Sequence, residues 1–289
     1  MKTYLDCIPC FLKQALFAAR AATDDEERIK GVLDRICKLV PEIPLHATPP
    51  ETGREIYRIV REATGVSDPF AALKAKSVET ALARYPELIE RVNRAEDPLK
   101  MAVRLAIAGN VMDFGANPNF ELEEELRQIL SVDPTINHYQ TFREMLGHAD
   151  HVLYLGDNAG ETVFDRILIE VMGKSVVYVV RDRPVINDAT ALDAVRSGLD
   201  HVATIISSGW DGPGVLVDRC SEAFLDHFHT ADLIISKGQG NYETLSTEQK
   251  PIFFLLKVKC PVIARDLGVK EGRTVIQYAR HGTIREPGL

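Results

Sequence analysis

Two kinds of apolar spacing divide the chain. Up to about residue 147, apolar side chains recur three and four positions apart, the period of a helix face. Tyr4–Ala22, Glu26–Val40, Gly53–Ala63, Phe70–Arg84 and Pro98–Met112 read as helices. Their starts are marked: Thr23 stands three residues before Glu26, as in a capping box. Asp68-Pro69 and Asp97-Pro98 each place a capping acid before a first-turn proline. The stretch Ala47–Gly53, with two prolines, reads as a loop, and Val132–Phe142 as a loop leading into a further helix.

After His151 the spacing changes to short, nearly continuous apolar runs: His151–Leu155, Ser175–Val180, His201–Ile206, Asp232–Ser236 and Ile252–Val258. Helical stretches near Glu161–Met172, Asp188–Ser197 and Gly214–His227 separate them. Alternation of this kind predicts βαβ units, and strands apolar on both sides predict a sheet covered on both faces. The expected fold is α/β. A helical N-terminal domain (1–147) precedes a three-layer, Rossmann-like domain with a mainly parallel sheet (148–289).

Composition narrows this picture. The chain has 289 residues, 45% hydrophobic and 26% charged, with a formal net charge of −8. That balance is ordinary for a globular protein and speaks against nucleic acid as a partner, which needs clustered Lys and Arg. It leaves room for a small phosphorylated ligand whose charge a metal ion offsets. No apolar run approaches the roughly 18–20 residues of a membrane helix, and the N-terminus lacks an apolar secretion core. The expectation is a cytoplasmic protein without a membrane partner. The acidic balance says nothing about oligomer symmetry. Five cysteines, an odd number, argue against a secreted disulfide framework.

In open α/β sheets ligands bind where the strands end. Gly156-Asp157-Asn158-Ala159-Gly160-Glu161 follows the first strand, and Arg181-Asp182 with Asn187-Asp188 follows the second. A loop from Ser207 to Gly214 follows the third, and Lys237-Gly238-Gln239-Gly240-Asn241 the fourth. Asp157, Asn158 and Asp188 offer hard oxygen donors suited to Mg²⁺ or Mn²⁺. Lys237 offers a point charge for a phosphate oxygen. Gly209 and Gly238, among the loop glycines, let backbone N–H groups approach an anion. Taken singly, Asp157 and Asp188 read equally as helix caps, and Glu161 as a first-turn acid or a residue that positions water. There is no G-x-G-x-x-G, no Walker A sequence and no G-x-S-x-G elbow.

The segments "LGDNAGE", "NDAT" and "ISKGQGNYETL" together resemble the damage-control phosphatase family, formerly a domain of unknown function. "DCIPCFLKQA" and "GNVMDFG" resemble its short prokaryotic branch, and the likeness spans essentially the whole chain. The resemblance implies a metal-dependent phosphatase of damaged or surplus phosphorylated metabolites. It assigns Asp157, Asn158 and Asp188 to the metal (Mg²⁺, Mn²⁺, Co²⁺ or Ni²⁺). It places Lys237 near the substrate phosphate, with Gly238 and Asn241 in the same motif. A eukaryotic branch has been described as a carboxyl methyltransferase, but no glycine-rich S-adenosylmethionine loop is present here.

Asn110 and Asp113, one helical turn apart, either reach over the crevice to the ligand or belong to a helix stop at Gly115. Cys7 and Cys10 form a C-x-x-C that reads as buried thiols, as half of a metal site, or as a redox pair. Trp210 either stacks on a ligand or closes a hydrophobic lid. The competing functional class is a non-catalytic, metal-dependent binding protein for a phosphorylated metabolite or nucleotide.

Overall fold

The computed structural model describes residues 1–110 and 122–279. The helices of the first part are α1 (Cys7–Ala22), α2 (Glu26–Leu39), α3 (Pro49–Thr64), α4 (Ala71–Asn93), α5 (Pro98–Gly109) and α6 (Leu122–Ser131). Then come β1 (Ile136–Asn137), α7 (Tyr139–His148), β2 (His151–Leu155), α8 (Thr162–Met172) and β3 (Ser175–Val180). The remainder is α9 (Ala191–Arg196), β4 (Thr204–Ser207), α10 (Glu222–Thr230), β5 (Leu233–Lys237), α11 (Gly238–Leu245), β6 (Ile252–Lys257), α12 (Pro261–Leu267) and β7 (Thr274–Ala279).

The elements follow the apolar periods closely, with instructive departures. Of Ala47–Gly53 only Ala47 and Thr48 lie outside a helix: the two prolines open α3, and Thr48 and Glu51 close a capping box around its first turn. α2 is capped by Asp25, whose carboxylate accepts from the N–H groups of Glu27 and Arg28, rather than by Thr23. α4 continues through Pro86 to Asn93. The third strand begins only at Thr204, because a 3-10 turn occupies Leu199–His201. β1 and β7 are additional.

The sheet runs in the order β1-β7-β6-β5-β2-β3-β4. It is parallel except where β7 pairs antiparallel with β6. Strand residues alternate between its faces. Val152, Tyr154, Leu233 and Ile235 join an apolar layer with α4, α5, α7 and α8. Leu153, Leu155, Ile234 and Phe254 join another with α10, α11 and α12. A third cluster ties α1, α2 and α3 together and receives Val185 and Val262 from the α/β part. No helix among the described residues is long and apolar enough to cross a membrane.

The strand order fixes where a ligand would bind. From β2 the chain moves outward through β3 and β4. It then returns to the other side of β2 and continues through β5 and β6. The direction of winding therefore reverses between β2 and β5, and the loops leaving these two strands diverge and open a crevice.

Candidate active site

Asp157 and Asn158 leave β2, and Gly238 leaves β5, on either side of the reversal. Asp188 arrives from the loop after β3 by a local pairing of Asn158 with Asp188. Three backbone bonds lock this arrangement: Ala189 N–H to Asp157 O at 2.7 Å, Ala159 N–H to Asn187 O at 2.9 Å, and Asp188 N–H to Val185 O at 3.1 Å. Ile186, inside this loop, has a φ of 46°. Left-handed backbone at a β-branched residue costs on the order of 1–3 kcal/mol and persists only where its surroundings enforce it. Asp157, Asn158 and Asp188 line a cavity of about 410 Å³. Phe17, Tyr57 and Phe70 from the helical part form its apolar wall, and Lys13 and Lys259 bring positive charge to it.

Beneath the cavity lies a polar floor. The Asn110 amide donates to Asp157 Oδ2 at 2.8 Å and to Glu161 Oε2 at 2.9 Å. The Asn158 amide donates to the same two carboxylates at 3.0 and 3.1 Å. Lys237, fully buried, gives its ammonium protons to Glu161, to Asp165 at 2.6 Å and to the Ala106 carbonyl at 2.9 Å. Asp165 is held further by the hydroxyls of Tyr154 and Tyr178, each at 2.7 Å. Arg181 donates to Asp188 at 2.7 Å and to Asn241 at 3.2 Å.

The residues proposed from the sequence thus separate by depth. Asp157, Asn158 and Asp188 face the cavity together. Lys237 does not stand where a phosphate oxygen would reach it. Leu233, Ile235 and Lys237 share one face of β5, so its side chain turns under α5, and its ammonium is saturated there. Glu161 and Asn110 lie in the same floor, and neither is exposed to position water or substrate directly. Asn241 is also structural: its amide donates to Gly156 O at 3.1 Å and Lys237 O at 2.8 Å, tying β2 to β5. Gly209 packs against Ser221, in a separate hollow with Trp210 and Asp211. Trp210 is buried with its indole N–H on Pro213 O, so it braces that loop rather than stacking on a ligand. Asp113 lies outside the described residues.

Gly238 has a different part from the one expected. Its φ is 77°, and a Cβ at this position would overlap the Asp157 carboxyl group. The glycine makes room for the carboxylate. Gly238→Ala is expected to lose about 1–3 kcal/mol from backbone strain alone and to displace Asp157. Denaturant unfolding measures the first effect and metal titration the second. Unchanged values for both would mean that the loop relaxes freely.

Sequence reasoning missed Lys259. It follows β6, lines the cavity, and donates to the Asn110 carbonyl at 2.6 Å. No local pattern marks it. Asn110 and Lys259 are 149 residues apart, and only the sheet order brings them together.

The site crowds buried carboxyl groups together. Asp157, Glu161, Asp165 and Asp188 are packed within it, against the two buried cations Lys237 and Arg181. Burial, reinforced by Asp188 and Glu161, pushes Asp157 up to about 8. Burial also raises Asp188, against the opposing pull of Arg181. For Lys237, burial works against the charge, but Asp165 and Glu161 outweigh it and the ammonium is held above its usual range. Two carboxyl groups and an amide facing one cavity offer the hard oxygen donors that a divalent cation takes, and such a cation would favour the ionised form that burial opposes.

A family model for the damage-control phosphatase ARMT1-like domain matches residues 3–275. The chain belongs to this family. A damage-control phosphatase from Pyrococcus horikoshii is 38% identical over 283 residues, 95% of this chain and 97% of that protein. Another from Archaeoglobus fulgidus is 36% identical over 282 residues, covering 93% and 96%. An uncharacterized protein from Methanocaldococcus jannaschii is 35% identical over 288 residues, covering 94% and 93%. The crystal structure of a DUF89 family protein from P. horikoshii superposes with a TM-score of 0.89 at 35% identity, covering 97% of this chain and all of that one. In this family frame, the acidic cavity lies at the switch point of the shared fold.

Proposed function

We propose that the chain is a metal-dependent phosphatase acting on small phosphorylated metabolites. The observation that carries the reading is the crowding of buried carboxyl groups around Asp157, Asn158 and Asp188, at the crevice between β2 and β5. These three residues would hold Mg²⁺, Mn²⁺, Co²⁺ or Ni²⁺. Once bound, such an ion polarises phosphate oxygens or makes a water more acidic.

This chain's own residues do the rest. The side-chain amides of Asn110 and Asn158 each donate a hydrogen bond to Asp157 Oδ2 and so fix the carboxylate's rotation. Arg181 does the same for Asp188. The saturated Lys237–Glu161–Asp165 floor makes that support rigid, which a reacting geometry requires. Lys259 and Lys13 replace Lys237 as the cations near an incoming phosphate. The apolar wall of Phe17, Tyr57 and Phe70 contacts the organic part and helps exclude water.

The test is phosphate release from sugar phosphates and p-nitrophenyl phosphate, using chelator-treated protein with each metal restored in turn. Metal-restored turnover is the expected result. Absence of release with every metal, while metal still raises the melting temperature, would favour the binding-protein reading instead. Lys259→Gln is expected to raise KM about tenfold or more, the scale of a lost hydrogen bond to a charged group, with a smaller effect on kcat. An unchanged KM would take Lys259 out of phosphate recognition.

A further inference from the structure

A second cavity of about 450 Å³ adjoins the acidic one. The two share Lys13, Gln14, Gln239 and Gly240, so they are neighbouring chambers with a common wall. Pro9 from α1, Pro49 and Pro50 from α3, Pro213 from the loop after β4 and Pro261 from α12 line the second chamber. Proline has a fixed φ and a ring that scarcely moves, so such walls resist collapse. Cys7 and Cys10 from α1 and Cys260 from the N-cap of α12 add weakly polar sulfur to the same surface. Glu243 also lines it; burial pushes this carboxyl up to about 7, with the N-terminal ammonium opposing, so below neutral pH that part of the wall is uncharged.

Two glutamines stand in the wall the chambers share. The Gln239 carbonyl accepts from Lys259 N–H, and its amide donates to Cys260 Sγ at 3.7 Å. The Gln14 carbonyl accepts from the Tyr57 hydroxyl at 3.3 Å, and its amide donates to Cys10 Sγ at 3.3 Å. Each carbonyl is held by the protein, while each amide rests on a thiol, a weak acceptor. These donors would gain by turning to an oxygen of a ligand that passes from one chamber to the other.

We propose that the two chambers form one substrate site and that the substrate is an elongated phosphomonoester, with its phosphate beside Asp157, Asn158 and Asp188, a carbonyl or hydroxyl oxygen at Gln14 and Gln239, and an apolar chain in the proline-walled chamber. The proposal rests on the phosphatase reading above and names its substrate class. Either chamber alone is of the size that encloses a small organic ligand, roughly 300 Å³ and upward. A compact sugar phosphate held beside the aspartates would leave the second wall in contact with water. A longer ester replaces that water with apolar contact, and the gain grows with each methylene buried.

The experiment compares straight-chain alkyl phosphates from ethyl to octyl, with p-nitrophenyl phosphate as a short reference, on the full-length, reduced, metal-restored protein. Along the longer chains kcat/KM is expected to rise roughly two- to fourfold per methylene. The matching alkylphosphonates, which are not hydrolysed, should show the same trend in Kd by calorimetry. Cys10→Phe, at an exposed position of α1, and Val262→Phe, on α12, each put a ring at the wall of the second chamber. Both should lower the octyl-to-ethyl ratio of kcat/KM, whereas a general loss of folding would depress both members of that ratio alike. Among octylphosphonates carrying one hydroxyl at successive positions, one should bind roughly two- to tenfold tighter than the others, the scale of one hydrogen bond, and Gln14→Met should erase the difference. Equal binding at every position would overturn the part given to the glutamines.

Hydrolysis of p-nitrophenyl phosphate with no length dependence in turnover or in phosphonate binding would overturn the proposal and leave the phosphatase reading standing. An octyl-to-ethyl ratio unchanged in both phenylalanine variants would overturn it as well. Length-dependent phosphonate binding without release from any ester would count against the phosphatase reading alone.

Discussion

Asp157→Asn is expected to reduce metal-supported phosphate release at least about a hundredfold. Losing even a supporting partner of a metal ligand costs roughly 10–100-fold, and Asp157 is assigned as a ligand itself. The same change is expected to leave the melting temperature of the metal-free protein unchanged or higher. It removes one of four crowded carboxylates, Asp157, Glu161, Asp165 and Asp188, while preserving shape and the oxygen that accepts from Asn110 and Asn158. The metal-induced rise in melting temperature should shrink in parallel. Steady-state kinetics and thermal unfolding with and without metal give both readings. Turnover within tenfold of the parent protein would remove Asp157 from the metal set.

Lys237→Met is expected to destabilise the protein by about 3–5 kcal/mol, the cost of stripping one partner from a buried ionic cluster. Glu161 and Asp165 would be left facing each other with no cation, and the Ala106 carbonyl would lose its donor. Chemical denaturation measures this directly. The size of the effect separates two roles. A lysine that only touched substrate would change KM and leave stability almost untouched. A loss of less than about 1 kcal/mol, within the range of a single ordinary hydrogen bond, would contradict the buried role.

Lys237 also marks the boundary of what the sequence can tell. The apolar run that ends in Gly156-Asp157-Asn158 is legible because a covered parallel strand has a distinctive composition and its carboxyl end is where chemistry collects. Asp188 was legible for the same reason, and the structure brings it to Asn158. Depth is not legible. Both faces of β5 are covered, so its pattern cannot say whether Lys237 turns toward the crevice or under α5. β7 escaped notice because it is a mixed strand with Gln277 and Tyr278 half-buried. β1, at two residues, is too short to leave a period. The prolines of α3 misled because proline suits both a loop and the first helical turn, and the capping pair Thr48–Glu51 was the signal that could have decided it. Lys259, and the meeting of Cys7 with Cys260, depend on strand order and have no local trace.

The bond from Lys237 to the Ala106 carbonyl has a consequence for how the protein is made. α5 is synthesised long before β5, and the carbonyl that will receive the ammonium waits 131 residues for its donor. Glu161 and Asp165 also precede Lys237 in the chain. During translation the acidic groups of the floor therefore exist first, without their cation, and must stay hydrated until β5 emerges from the ribosome. The arrival of one lysine joins the early and late parts of the chain, so a nascent chain stopped short of β5 carries every proposed metal ligand above a floor that lacks the ammonium between Glu161 and Asp165.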